Sequence, residues 1–166
     1  MRQFVCEALG KRHDLHQFDC GNQALNDYLR KTASQDVKRK ASVVYVIVPT
    51  DQPQRVVGFY TLCATSLELA TLPADLVKLL PRYPQVPAIL IGRLARDFRV
   101  PGIGSLLLSD ALTRCVRVAA EIGATLIIVD SKGEEASRFY EKFGFIALPR
   151  VTQRMFLPIA TAAKLI

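Results

Sequence analysis

Arg99-Val100-Pro101-Gly102-Ile103-Gly104 lies between two stretches of different periodicity, and its reading decides the fold. Before it, Ile89 to Ala95 is an apolar run of strand length that ends at Arg96-Asp97. After it, Leu108, Ala111, Leu112, Cys115, Ala119 and Ile122 recur at spacings of three and four, with Asp110, Arg114, Arg117 and Glu121 on the opposite face. That is the pattern of an amphipathic helix. Gly102 and Gly104 therefore sit where a strand hands over to a helix. A glycine turn there brings backbone N–H groups and a helix N-terminus to one point, which suits an anion such as a phosphate.

Downstream, Gly123 marks the helix end and Thr125 to Val129 is a short β-branched strand leading to Asp130. A second helical stripe then carries Ala136, Phe139, Tyr140 and Phe143. The turn lacks the G-x-G-x-x-G of a dinucleotide fold and the Gly-Lys-Ser/Thr of a P-loop.

Upstream, Phe4 to Leu9 reads as a first strand, and His13 and His16 as surface residues of the following loop. Phe18-Asp19-Cys20-Gly21-Asn22 precedes a helix capped by Asn22, with Leu25, Tyr28, Leu29 and Ala33 facing the core. Ser42 to Val48 and Val56 to Leu62 form an expected antiparallel hairpin. Gly58 inside it suggests a bulge or the close approach of a ligand. Pro73 opens a short helix, while Pro81, Pro84 and Pro87 are expected to prevent regular structure until Ile89. A last strand spans Arg154 to Leu157, followed by a tail.

With 166 residues, half of them apolar, the chain is read as one globular domain, 1–166. No apolar stretch approaches the roughly 20 residues of a bilayer span, and no signal-peptide h-region is evident, so a cytoplasmic protein without membrane association is expected. Cys6, Cys20, Cys63 and Cys115 lack metal-ligand spacing, so no metal is expected. The net charge of +7, partly clustered at Lys38-Arg39-Lys40, favours a polyanion. Nucleic acid, a phosphate-bearing cofactor and an ordinary solvated basic face all remain open.

R-x-x-G-x-G between strand and helix, a second strand, and then Phe139-Tyr140-Glu141-Lys142-Phe143-Gly144-Phe145 together resemble the acetyl-CoA site of the GNAT superfamily of N-acetyltransferases. The string from Phe18 to Leu29, F-x-C-G-x-x-x-L-x-x-Y-L, is similar to the N-terminal signature of the tRNA-acetylating toxins of type II toxin–antitoxin modules, the TacT/AtaT type. The resemblance implies an α/β fold with a mixed, mostly antiparallel twisted sheet flanked by helices. It implies acetyl-CoA as co-substrate, held by the backbone of Leu94, Ala95 and Arg96 and by Arg99, Val100, Gly102, Ile103, Gly104 and Ser105, with Phe139 and Phe143 in contact. Tyr140 matches the position of the acid that protonates the leaving thiolate.

The same resemblance implies transfer of acetyl to the α-amine of aminoacyl-tRNA, which blocks translation, with Lys38, Arg39, Lys40, Arg93 and Arg154 on acceptor-stem phosphates. A homodimer and an antitoxin of the ribbon-helix-helix kind are implied as partners. Protein N-termini or a small amine are the alternative acceptors, and a non-catalytic CoA-binding or partner-binding module is a third reading. No carboxylate is selected as general base, Glu68, Asp97 and Asp130 being the candidates. A model α-amine, with a pKa of about 8, needs less help than a lysine at about 10.4. The sequence departs from the branch in a shorter interval between Asp97 and Gly104 and in Pro101, which has no N–H to offer a pyrophosphate.

Overall fold

The computed structural model describes residues 2–166. The strands are β1 (Phe4–Ala8), β2 (Val43–Pro49), β3 (Gly58–Glu68), β4 (Gln85–Arg96), β5 (Leu126–Asp130), β6 (Ile146–Ala147) and β7 (Arg154–Pro158). They follow the order β1-β2-β3-β4-β5-β7-β6. β1 and β2 are antiparallel, as are β2 and β3, β5 and β7, and β6 and β7, whereas β4 and β5 are parallel from Ala88↔Leu126 to Ile91↔Val129. The helices are α1 (Gln23–Asp27), α2 (Ala33–Lys38), α3 (Ala74–Val77), α4 (Gly104–Ile122), α5 (Glu134–Glu141) and α6 (Ile159–Ala163), with a π-helical turn at Tyr28–Thr32 joining α1 to α2. The mixed, mostly antiparallel sheet and its helices are those expected.

By its internal contacts the chain forms two compact units, Met1–Cys63 with Gly92–Ala111, and Ala64–Ile91 with Leu112–Ile166. In the first, Phe18, Leu29, Val46 and Phe59 are wholly buried. Phe18 meets Phe59 edge-on at 5.6 Å between ring centroids. Each such side chain contributes about 1.5–3 kcal/mol on burial. Asn22 caps α1 as its sequence context predicts, its Oδ1 accepting the Leu25 N–H at 3.2 Å. α2 ends in a Schellman arrangement, with Ala41 N–H donating to Asp36 O and Lys40 N–H to Val37 O. Lys40 takes the left-handed position there, at φ +62°, where glycine is the usual residue.

In the second unit β5 is buried along Leu126–Val129, as an apolar run covered on both faces requires. Leu126 and Ile128 pack with Val86, Leu148 and Phe156. Gly123 ends α4 at φ +83°, donating its N–H to Ala119 O at 2.9 Å.

Several expectations are corrected. β4 begins at Gln85 and contains Pro87, which lies just before the stretch from Ala88 paired with β5 and whose carbonyl accepts Thr125 N–H at 2.9 Å. β3 runs on past Leu62 to Glu68. The tail holds α6, and β6 is an additional strand whose two residues are too few to carry a periodicity. Ile122 is 73% exposed, since the helix's last residue has no neighbouring element over it. His13 is buried rather than superficial: its Nδ1 accepts the Gly10 N–H at 2.9 Å and its Nε2 lies 2.8 Å from Glu7 Oε1.

Candidate functional site

The glycine turn begins from a strand end that is pinned on several sides. Asp97 N–H donates to Val57 O at 2.8 Å and Val100 N–H to Asp97 O at 3.0 Å, closing a tight turn over Asp97–Val100. Gly102 then takes φ +85°, and a Cβ there would meet nothing within 4 Å. The glycine is thus required by its backbone angle and faces open space. Ile103 is buried and its carbonyl accepts Leu107 N–H at 2.9 Å, which starts α4. The N–H groups of the first helical turn have no intrahelical acceptor, so they and the exposed Ser105 form a concentration of donors that fits a phosphate group. Pro101 contributes none.

Gly58 has a different reason from the one expected. A Cβ at that position would lie 2.7 Å from Ile47 Cγ2, 2.8 Å from Leu107 Cδ1 and 3.3 Å from Ala95 O. What approaches the glycine is the protein's own core, with α4 packed onto β3 at its first turn, and neither a bulge nor a ligand is needed to account for it. Of the cofactor residues expected on the preceding strand, Ala95 is buried, Leu94 half-buried and Arg96 exposed.

Arg99 does not stand free in the turn. Its Nε and Nη2 donate to Asp97 Oδ1 and Oδ2 at 2.9 and 2.8 Å, and Nη2 also reaches Gln17 O at 2.5 Å. Asp97 is 1% exposed. Burial pushes its carboxyl up, but hydrogen bonds from the Arg99 side chain and from the Arg99 and Asp19 N–H groups outweigh this and hold it below the ordinary range. With its oxygens committed in this way Asp97 is no general base. Asp130 is paired as well, with Arg154 Nε at 2.8 Å and Nη2 at 3.3 Å. Glu68 is exposed and lines a cavity of about 710 Å³ with Leu69, Leu72, Val77 and Pro84.

In the second unit, Tyr140 lies on α5 and is 6% exposed. Its ring meets Phe139 at 5.3 Å and Phe145 at 5.5 Å between centroids, and Phe139 meets Phe143 at 5.6 Å. Burial, helped by the charge of Asp130, pushes its hydroxyl up to about 12, so it stays protonated throughout the neutral range. A buried, protonated phenol can donate to a thiolate.

The basic residues separate into two kinds. Lys38, Arg39 and Lys40 are exposed at the C-terminal end of α2. Arg93 stacks its guanidinium over the Tyr28 ring at 3.6 Å, and Tyr28 donates its hydroxyl to Asp36 at 2.7 Å. Arg154 is tied to Asp130, as above. All four cysteines are thiols, and burial pushes Cys115 up to about 12, which leaves it unreactive.

No family model matches the chain. It is 35% identical over 163 residues to a protein of Sinorhizobium fredii described as probable toxin TacT, covering 93% of this chain and 90% of that one. It is 37% identical over 155 residues to a tRNA-acetylating toxin of Mycobacterium tuberculosis, covering 92% and 90% of the two chains. The chain belongs to the tRNA-acetylating GNAT toxins.

Solved structures agree with that membership. A Tyr-to-Phe mutant of KacT superposes with a TM-score of 0.91 at 28% identity, covering 99% of both chains. AtaT complexed with acetyl-methionyl-tRNAfMet gives a TM-score of 0.89 at 30% identity, covering 98% of this chain and 99% of that one. A further AtaT structure, a Tyr-to-Phe mutant, is bound to the C-terminus of the antitoxin AtaR and to acetyl-CoA, with a TM-score of 0.82 at 25% identity over 98% and 97% of the chains.

What the sequence of this toxin-family chain did not announce is the polar network behind the turn. Asp97, Asp19 and Asn26 belong to it, and the only local signal is the Asp-x-Arg spacing that allows a side-chain turn at Asp97. Among the described residues, no helix is long and apolar enough to cross a membrane.

Proposed function

We propose that this chain, as a single acetyltransferase domain over 1–166, moves acetyl from acetyl-CoA to the α-amine of aminoacyl-tRNA and thereby blocks translation. The observation that carries the reading is 37% identity to a tRNA-acetylating toxin over 92% of the chain, in a protein whose glycine turn and protonated tyrosine suit that chemistry. The N–H groups of Gly102, Ile103, Gly104 and Ser105 hold the pyrophosphate of acetyl-CoA, and Val100, whose own N–H is spent on Asp97 O, flanks it. The backbone of Leu94, Ala95 and Arg96 serves the pantetheine and thioester, and Phe139 and Phe143 contact the cofactor. The amine nitrogen forms the new bond to the carbonyl carbon, the carbon–sulfur bond breaks, and Tyr140 gives its proton to the leaving thiolate. No strong base is required of Glu68, because an α-amine with a pKa of about 8 is appreciably neutral at pH 7.

Lys38, Arg39 and Lys40 hold acceptor-stem phosphates, a positioning role without base readout. Arg93 and Arg154 are secondary contacts, given their partners Tyr28 and Asp130. Acting on tRNA, the toxin works in the cytoplasm as a homodimer and is neutralised by an antitoxin of the ribbon-helix-helix kind. The AtaT complex with the C-terminus of its antitoxin supports an antitoxin partner.

The test is transfer of radiolabelled acetyl from acetyl-CoA to a pool of charged tRNA, with uncharged tRNA and a peptide mixture in parallel. Label on the charged pool alone is the expected result. Label on peptides alone would move the assignment to protein N-termini, and binding of acetyl-CoA with no label anywhere would leave a non-catalytic module.

A further inference from the structure

We infer that Asp97 is a positioning residue for the cofactor: it sets the Arg96–Gly104 segment for the pyrophosphate by locking it to the Phe18–Asn22 loop. The inference rests on the reading of the glycine turn as the acetyl-CoA site. It also gives a physical task to the N-terminal signature, which the catalytic chemistry leaves unused.

The lock is reciprocal. Asp19 N–H donates to Asp97 Oδ2 at 3.2 Å, and Phe98 N–H donates back to Asp19 O at 3.0 Å. Asp19 is itself fixed, its Oδ1 accepting Gly21 N–H at 2.8 Å and Asn26 Nδ2–H at 3.0 Å. Asn26, 4% exposed, returns a bond by accepting Cys20 N–H on Oδ1 at 2.9 Å. Gly21 at φ +83° makes that tight loop available. On the other side, Asp97 Oδ1 accepts the Arg99 N–H at 3.0 Å, a turn closed by the side chain two residues before the backbone donor.

Arg99 then reads as part of the lock. Its fork is spent on both oxygens of Asp97 and on Gln17 O, so it bridges the turn to the residue just before Phe18. A phosphate contact needs only its charge, whereas the lock needs the planar fork. Donors aimed at a phosphate are effective only when held in direction beforehand, and a buried carboxylate with several donors provides that rigidity where Pro101 has removed one N–H.

The experiment measures acetyl-CoA binding by calorimetry and steady-state kinetics with charged tRNA for the full chain and for Asp97→Asn, Arg99→Lys and Arg99→Ala, with melting temperatures as the fold control. Asp97→Asn and Arg99→Lys are each expected to raise KM for acetyl-CoA about tenfold or more. The kcat at saturating acetyl-CoA and the KM for charged tRNA should stay within about twofold, a split that general destabilisation does not produce. The double variant should be little worse than either single one, because both break one unit.

An unchanged acetyl-CoA KM in folded Arg99→Lys overturns the inference. So does recovery by Arg99→Lys of what Arg99→Ala loses, which would make Arg99 a charge contact. If Asp97→Asn does not fold, Arg99→Lys decides, since it leaves the buried carboxylate a cationic partner. Failure of the unaltered chain to bind acetyl-CoA would instead remove the functional reading on which the inference stands.

Discussion

The turn from Asp97 to Gly104 and the helix that carries Tyr140 are held in place by different forces. The turn is fixed by a buried carboxylate, a guanidinium fork and reciprocal backbone bonds to the Phe18–Asn22 loop. Tyr140 is fixed by rings, between Phe139 and Phe145. The difference matches the roles proposed for the two. Hydrogen bonds are directional, so they suit a segment that has to aim its own N–H groups. Ring packing is weakly directional but excludes water, and exclusion of water keeps the phenol protonated.

The largest effect expected is on the aromatic side. Tyr140→Phe keeps the ring packing and removes only the hydroxyl proposed as the acid, so kcat should fall by about 10²–10⁴ with the melting temperature nearly unchanged. A variant as active as the parent would reduce Tyr140 to packing and erase the contrast. In the parent, the kcat/KM profile should rise with pH as the ester-linked α-amine, more acidic than a model α-amine at about 8, loses its proton, with no loss assignable to Tyr140 in the neutral range, because its hydroxyl is pushed up to about 12.

On the side of the turn, Gly58→Ala should destabilise by about 1–3 kcal/mol, since the new methyl collides with Ile47 and Leu107 at the base of α4. Denaturant melts would measure it, and a neutral substitution would mean that this packing yields readily. Lys40→Gly should act in the opposite direction, stabilising by about 1 kcal/mol as the left-handed strain is relieved. If Lys40 holds a phosphate, the same variant lowers the salt slope of tRNA binding by about 0.7–0.9. Stability gained without a change in slope would make Lys40 an ordinary solvated lysine.

The smallest effect concerns acid. The Asp97 carboxyl is held below its ordinary range, so its stabilisation is complete above the unfolded value of about 3.9 and is lost as pH falls through the depressed folded value. The stability gap between the parent and Asp97→Asn should therefore be constant near neutrality and close only in strong acid.

Much of this protein was legible before folding because its signals are local. Three-and-four spacing placed α4, Asn22 announced the cap of α1, Gly102 marked the turn from strand to helix, Gly123 marked the end of α4, and Phe139 to Phe145 stood out as an aromatic string. The motifs that carry family membership are short and contiguous, which is why the chemistry could be read from them. Gly58 was legible as a special position but not for its reason, which depends on Ile47 and Leu107, far away in the chain.

The sequence by itself determined the strand–turn–helix order and the kind of cofactor, and it singled out Tyr140 as the residue to test as the acid. Only the tertiary structure decided that Arg99 turns back onto Asp97, that Asp97 is no base, that His13 is buried against Glu7, and that Pro87 sits inside a strand. The physical reason is common to all four. A charged or polar group far from its partner in sequence shows no periodicity, and its role is set by which donors and acceptors the fold brings within about 3 Å.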